Sequence, residues 1–198
     1  MATSASDFTV KTVQTLEQLA QVYSFATPIL KLPSPGHALQ VYIAHFDKTP
    51  QLLIFAERDG NICGCVLARI DEDHVLVGPV AVAEGLRRRG IGAAMMRELE
   101  SQAKALRQDT ILLGALEEDE LFYVRCGYQP NLFIQLHEPD SVERLEALNE
   151  GYAVVWKDER NGKSKLMLQM ATIDKRLQKK YDQAFPNCYT QYVFIKHI

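Results

Sequence analysis

The sequence predicts an α+β fold built on a mostly antiparallel sheet with a β-α-β unit near its centre. Two apolar runs flank an Asp-Gly turn between residues 51 and 71, the pattern of a β-hairpin. A segment of helical period begins at Gly90, and a short apolar run at 110–116 follows it. Several strands before this helix and one after it favour the α+β class.

The N-terminal part reads as a short strand at 8–10 followed by two helices. Thr15 is placed to cap the first helix, with Gln18 three residues later as in a capping box. A break and a loop are expected after it, at Pro28, Pro33, Pro35 and Gly36. A second helix over 39–46 is expected to end near Pro50.

The next segment predicts three consecutive strands. A turn at 59–61 joins the first two, and the third covers 74–83. Pro79 lies inside that third strand and cannot donate to a sheet ladder. It therefore predicts an edge, a bulge or a place where neighbouring strands part.

The central helix is expected to run for about five turns from Gly90. Apolar residues recur on one of its faces, namely Ile91, Met95, Leu99, Ala103 and Leu106. A strand at 110–116 and a short helix that Gly127 can terminate follow.

Beyond this point the pattern predicts a strand at 131–137, a helix behind Asp140, a hairpin around Asn161-Gly162, a helix at 173–185 and a last strand. We expect two parts, a main domain at 1–136 and a small α+β extension at 137–198. The extension has no assigned task. It could extend the sheet, cover a substrate site or form a homodimer contact.

The composition argues against several classes of protein. The net charge is −3 and the pI near 6.0, which does not favour a general nucleic-acid or anionic-membrane binder. We expect no signal peptide and no membrane span, because no apolar run has the required length. The four cysteines lack CxxC spacing, so we expect free thiols, no metal site, and a reducing, cytoplasmic location.

The start of the central helix predicts a phosphate cradle. The first N–H groups of a helix lack partners, and the helix dipole adds positive charge there. A phosphate at this end can accept hydrogen bonds from these groups and balance the charge. Glycines let the backbone approach, and arginines offer forked donors. A Rossmann fingerprint fails because Met95 replaces its third small residue, and a Walker A loop lacks its Gly-Lys-Ser/Thr. The cradle comprises Arg87, Arg88, Arg89, Gly90, Ile91 and Gly92.

This motif resembles the R/Q-x-x-G-x-G/A motif of GNAT-type N-acetyltransferases. "VGPVAVAEGLR" resembles the fourth strand and turn of that family, and "LFYVRCGY" resembles its FY-x-x-x-G-F/Y segment. The order of elements from Phe8 to about Leu136 is also similar. The resemblance implies a mixed, mostly antiparallel twisted sheet with splayed central strands flanked by helices. It implies acetyl-CoA as cosubstrate and an amine of a small molecule or protein as acceptor.

The resemblance also implies how the cosubstrate is held. Backbone amides would bind the pyrophosphate, from Arg87, Arg88, Arg89, Gly90, Ile91, Gly92 and Ala93. The pantetheine arm would pair, strand-like, with Val80, Ala81 and Val82. The Val82 amide is a candidate donor to the oxyanion, with an ordinary ladder hydrogen bond as the alternative.

Acetyl transfer to an amine needs a proton acceptor for the amine and a donor for the leaving thiolate. Tyr123 occupies the tyrosine position of the family-like pair and is expected to be the acid; packing in a helix stripe is the alternative. Glu117 is the first choice for the base, among carboxylates and a histidine near strand ends: Glu57, Asp71, Glu72, Asp73, His74 and Glu84.

The segment "LEEDELFY" lacks the asparagine that many family members carry before this helix. Its acidic run either attracts a cationic acceptor or favours a helix N-terminus.

Three other functions stay open from sequence. The protein could be a non-catalytic acyl-CoA-binding or sensing module that has the cradle without the chemistry. The arginines, or the basic run at 175–180, could bind nucleic acid, although no RNA-binding signature accompanies them. Cys126 could be a nucleophile, but no histidine and carboxylate pattern surrounds it.

Overall fold

The computed structural model describes residues 7–32, 36–138 and 141–198, with only the backbone described at 36–38. Pro33, Pro35 and Asp140, on which part of the predicted loop and helix start rested, lie outside the described residues. The described residues form six α-helices: α1 Leu16–Leu30, α2 Gly36–Phe46, α3 Ile91–Ala105, α4 Glu120–Arg125, α5 Val142–Ala147 and α6 Lys175–Ala184. The strands are β1 Thr9–Thr12, β2 Leu53–Arg58, β3 Asn61–Asp71, β4 His74–Val82, β5 Thr110–Gly114, β6 Gln129–Leu136, β7 Ala153–Arg160, β8 Lys163–Gln169 and β9 Cys188–His197.

The chain divides into two compact units. The first comprises the described residues up to Ile111 together with His197 and Ile198, and the second is Leu112–Lys196. The predicted α+β class with a mostly antiparallel sheet is confirmed, since every strand pair whose register is described is antiparallel. The functional boundary expected at residue 136 stays a prediction.

The first unit is organised around the consecutive strands β1, β2, β3 and β4. The hairpin between β2 and β3 forms as predicted, because Asp59 and Gly60 take φ values of 51° and 76°. A two-residue turn with both φ values positive matches the twist of the strands that it joins. The pairing of Phe55 with Cys65 and of Cys65 with Ala81 then aligns three strands in register.

A bulge interrupts β4 at Gly78 and Pro79. Val66 on β3 pairs with Val80, but Ala68, two residues further, pairs with Val77, three residues back. One extra residue on β4 therefore stands between two ladder positions, which is the definition of a bulge. Of the three placements that Pro79 predicted, the structure shows the bulge.

Both faces of β3 are buried under helices. Cys65 and Leu67 belong to the buried cluster that includes Leu19 and Tyr23 of α1. Gly64 faces α3 instead, since a Cβ there would lie 2.8 Å from Met95 Cε. Side chains alternate across a strand, so one run of residues supports a helix on each side of the sheet.

Helix α1 is capped as the sequence predicted, but it does not break at Pro28. The Thr15 hydroxyl accepts from the Gln18 amide at 3.1 Å. Pro28 lies inside the helix, which ends at Leu30, and the C-cap residue Lys31 takes a left-handed conformation with φ 51°. A proline so near the C-terminal end removes a single backbone donor, and the expectation of a break there was wrong. Gly36, expected in a loop, begins α2.

In the second unit the strands follow the order β5-β9-β6-β8-β7. The predicted hairpin at Asn161 and Gly162 forms with φ values of 58° and 67°. Asp174 caps α6 by accepting from the Leu177 amide at 3.0 Å. On this helix Tyr181 is buried and donates its hydroxyl to the Leu145 carbonyl at 2.9 Å, which ties α6 to α5.

Across the described ranges, no helix combines the length and the apolar character that a bilayer crossing requires.

Candidate active site

The turn before α3 presents backbone amides at the end of a helix. Gly90 is the N-cap residue and has a φ of 84°, in the left-handed region that favours glycine. No side chain caps this end, and the first helical bond runs from the Ala94 amide to the Gly90 carbonyl at 2.9 Å. The amides at 91–93 therefore have no acceptor within the helix. Arg88 also has a positive φ, 64°, so the turn bends sharply just before the helix.

The three arginines at this turn carry uncompensated charge. Arg87, Arg88 and Arg89 are exposed, and none of them pairs with a carboxylate among the described residues. Arg87 Nε lies 3.4 Å from the Val82 carbonyl oxygen, which keeps this guanidinium beside the end of β4. Three positive charges next to the positive end of a fifteen-residue helix make this place attractive to an anion.

Open space surrounds Gly90. A Cβ built there would meet no atom within 4 Å. The glycine is therefore required by backbone conformation and not by close packing within the protein.

The backbone N–H and C=O groups of β4 just before this turn point alternately toward the two edges of the strand. The Ala83 amide donates to the Cys63 carbonyl at 2.9 Å, and bonded and non-bonded pairs alternate along an antiparallel ladder. Ala81 therefore directs its N–H and C=O groups toward β3. Val80 and Val82 direct theirs toward the opposite edge of β4.

In the second unit, Tyr123 lies on α4 and is 6% exposed. Its ring contacts those of Tyr128 and Phe194, with centroids 6.2 Å and 5.6 Å away. Burial raises the pKa of Tyr123, and Asp119 and Cys126 add to the rise. The phenol is thus protonated throughout the neutral range. No described residue hydrogen-bonds its hydroxyl.

Glu117, the first-choice base, lies in a 3₁₀ turn before α4 with its side chain 79% exposed. Its carboxylate is 3.3 Å from Lys175 Nζ. The same ammonium lies 2.7 Å from the Glu120 carboxylate, whose side chain is only 5% exposed. The acidic run therefore supplies partners to Lys175.

Most of the other base candidates already have partners. Glu57 pairs with Lys11 at 2.7 Å, and Asp71 lies 3.7 Å from Arg69. Asp73 contacts its neighbour His74 at 3.3 Å. Glu84 lies in the 3₁₀ turn directly before the arginines.

Sequence reasoning missed three residues that lie on or bind α4, the helix that carries Tyr123, and its C-terminal end. Glu120 is buried, three positions before Tyr123 and so on the same face of α4. Lys175 reaches Glu120 from α6, and Lys196 donates to the Cys126 carbonyl at 2.8 Å. The spacing of Glu120 was a readable signal, whereas no local pattern marks the two lysines.

The basic run of α6 is largely neutralised. Lys175 pairs with the two glutamates named above, and Arg176 and Lys180 both pair with Glu150. Paired charges offer little to a phosphate backbone, so this run does not support nucleic-acid binding.

Within the described part of the chain, no group of three or more His, Cys, Asp or Glu residues is placed to hold a metal ion.

Comparison with known proteins gives one family. The model of the Acetyltransferase (GNAT) family matches residues 16–128. Among solved structures, a protein of Pyrococcus horikoshii assigned as an acetyltransferase has a TM-score of 0.58 at 12% identity, covering 100% of this chain and 92% of that one. The diaminobutyrate acetyltransferase EctA of Paenibacillus lautus, solved with its substrate and coenzyme A, has a TM-score of 0.54 at 15% identity, covering 86% and 99%. The ribosomal-protein-S18-alanine N-acetyltransferase of Escherichia coli has a TM-score of 0.51 at 14% identity, covering 85% and 97%. At these identities the likeness shows the fold. No curated protein matches the chain significantly in sequence.

Proposed function

The chain belongs to the Acetyltransferase (GNAT) family, and on this premise we propose that it transfers an acetyl group from acetyl-CoA to a primary amine of a small molecule or protein. The observation that carries the proposal is the turn before α3. Three amides without acceptors in the helix, three arginines without carboxylate partners among the described residues and an N-cap glycine surrounded by open space all suit a diphosphate.

The pyrophosphate of the cosubstrate would bind the amides of Arg88, Arg89, Gly90, Ile91, Gly92 and Ala93, and that of Arg87 once its 3.3 Å bond to the Glu84 carbonyl is released. The pantetheine arm would run along β4 and pair with the outward-directed backbone of Val80 and Val82, with Ala81 between them. The Val82 amide is the proposed donor to the oxyanion.

The chemistry assigns one step to each candidate side chain. The amine nitrogen forms a bond to the acetyl carbon, and the carbon–sulfur bond of the thioester breaks. Glu117 is proposed to accept the amine proton, directly or through water, and Tyr123 donates its phenolic proton to the departing sulfur. The raised pKa of Tyr123 keeps its phenol protonated at neutral pH, and it also makes the phenol a weaker proton donor to a thiolate than an exposed tyrosine would be.

One observation favours the alternative of a non-catalytic acyl-CoA-binding module. Tyr123 is 6% exposed, and an acid must reach the thiolate that it protonates. The alternative keeps the cradle and assigns no reaction to α4.

A panel of amine acceptors with acetyl-CoA, followed by thiol release, separates the two. Turnover with at least one amine supports the enzyme, and tight CoA binding without turnover on any member supports the binding module. Failure to bind CoA would refute both. We further propose that residues 1–136 carry the transfer reaction.

A further inference from the structure

Helix α4, which carries Tyr123, is too short to be stable alone. It has only six residues. Isolated helices below about twelve residues are marginal in water. Contacts from other parts of the second unit must therefore hold it.

The N-terminal end of α4 is held by Lys175 of α6. Its ammonium lies 2.7 Å from the Glu120 carboxylate and 3.0 Å from the Gln178 amide oxygen. It also lies 5.2 Å from the centre of the Tyr192 ring, within range of a cation–π contact. Because Glu120 is buried, its charge needs this partner; a buried carboxylate without one is strongly destabilising.

The C-terminal end of α4 is held by Lys196 of β9. Its ammonium donates to the Cys126 carbonyl at 2.8 Å and lies 5.2 Å from the centre of the Tyr128 ring. A cation at this end of a helix satisfies a carbonyl that has no partner in the helix and complements the dipole. The Tyr128 amide in turn donates to the Tyr123 carbonyl at 3.1 Å, directly beside the candidate acid.

Tyr123 lies between these two attachments. Phe194, two residues before Lys196 on β9, packs against its ring. The same strand thus supplies a ring contact and an ammonium, and α6 supplies the second ammonium.

We propose that the C-terminal segment 137–198 acts as a clamp on α4, through Lys175 at one end and Lys196 at the other, and thereby positions Tyr123. The inference rests on the proposed function, because it presupposes that Tyr123 is the acid. Neither lysine is assigned contact with the substrate or the cosubstrate, so both are positioning residues, although the Lys175 ammonium also lies 3.3 Å from the carboxylate of Glu117, the proposed base. The segment then has a task in the reaction although it contributes none of the proposed catalytic side chains.

The physical test uses hydrogen exchange of the full-length protein. Lys175→Met and Lys196→Met are each expected to speed exchange of the amides at 120–128 about tenfold, since local opening there becomes easier. Lys175→Arg keeps the charge and should restore protection. Lys179→Met is the matched control, because Lys179 lies exposed on the same helix and has no ion pair among the described residues. Unchanged exchange in both methionine variants would overturn the clamp.

The functional test uses steady-state kinetics. Lys175→Met is expected to lower kcat about tenfold with little change in the KM for acetyl-CoA, and to add no further loss in a Tyr123→Phe background. A full additional loss in that background would mean that Lys175 acts through another group, such as the Glu117 carboxylate 3.3 Å from its ammonium, and would refute the positioning of Tyr123 by Lys175. Absence of turnover in the unmodified protein would instead refute the proposed function. Hydrogen exchange alone would then test the clamp.

Discussion

Substitution of Gly78 by alanine tests the packing of the β4 bulge in depth. Tyr42 of α2 lies directly over this glycine. A Cβ at position 78 would be 1.9 Å from the Tyr42 hydroxyl oxygen and 3.2 Å from the ring carbon that bears it. The Leu67 carbonyl oxygen, at 3.3 Å, closes another side of the same space.

The overlap is large enough to estimate its cost. Favourable contacts between heavy atoms start at about 3.5 Å, so the methyl group and the hydroxyl cannot both keep their places. Tyr42 is buried and its ring lies 6.3 Å from that of Tyr23, which limits its escape. Overpacking against a buried side chain costs about 1–3 kcal/mol, and although Gly78 itself is exposed, the burial of Tyr42 leads us to expect a cost of about 3 kcal/mol for Gly78→Ala.

Removal of the hydroxyl should relieve most of this cost. In a Tyr42→Phe background the nearest ring atom would be 3.2 Å from the new methyl group, a tight contact that a small shift can accommodate. We expect Gly78→Ala to cost about 1 kcal/mol there, which gives a coupling of about 2 kcal/mol between the two positions.

Urea unfolding of the unmodified protein, the two single variants and the double variant measures this coupling. Gly85→Ala is a suitable control, since a Cβ at Gly85 would meet nothing within 4 Å. CoA affinity should fall with Gly78→Ala as well, because the bulge sets the position of Val80. An equal cost of Gly78→Ala with and without the Tyr42→Phe substitution would refute the reasoning.

Three further predictions concern single residues. Tyr123→Phe should lower kcat by about tenfold or more and leave acetyl-CoA affinity unchanged, and an unchanged kcat would remove Tyr123 from the acid role. Because the pKa of Tyr123 is raised, the unmodified enzyme should show no loss of rate below pH ~10 from deprotonation of this phenol. Gly90→Ala should destabilise the fold by about 1 kcal/mol through its φ of 84° alone, measured by urea unfolding; an unaffected midpoint would count against the left-handed turn. Hydrogen bonds from Arg176 and Lys180 lower the pKa of Glu150 to about 2, so its stabilising effect is present above its unfolded pKa of about 4.3 and is lost as the pH falls toward 2. Glu150→Gln should remove this part of the acid dependence of thermal unfolding, and identical pH profiles would contradict it.

The strands and hairpins were accessible from sequence because their signals are local. Asp59-Gly60 and Asn161-Gly162 can take the two positive φ values that a tight hairpin needs, and both turns form. The regular apolar spacing after Gly90 likewise predicted the buried face of α3. Each of these features depends on residues within a few positions of one another.

The failures and gaps come from tertiary context. Pro28 reads as a break, but so near the end of α1 the proline costs one hydrogen bond, and packing of the helix outweighs it. Pro79 allowed three placements, and only the register with β3 shows the bulge. Lys175 and Lys196 act on α4 across 55 and 70 residues of sequence, a separation at which no periodic pattern operates.

The proposed function depends most on the binding of a diphosphate by the backbone amides at the start of α3. A titration of the ¹⁵N-labelled protein with CoA, observed by amide chemical shifts, tests this directly. We expect the largest changes in chemical shift at residues 87–93, followed by Val80 and Val82. Pantetheine, which lacks the phosphates of CoA, should leave the shifts of 87–93 unchanged. Saturation with CoA while the amides of 87–93 keep their shifts would contradict the assignment of this turn as the cosubstrate site.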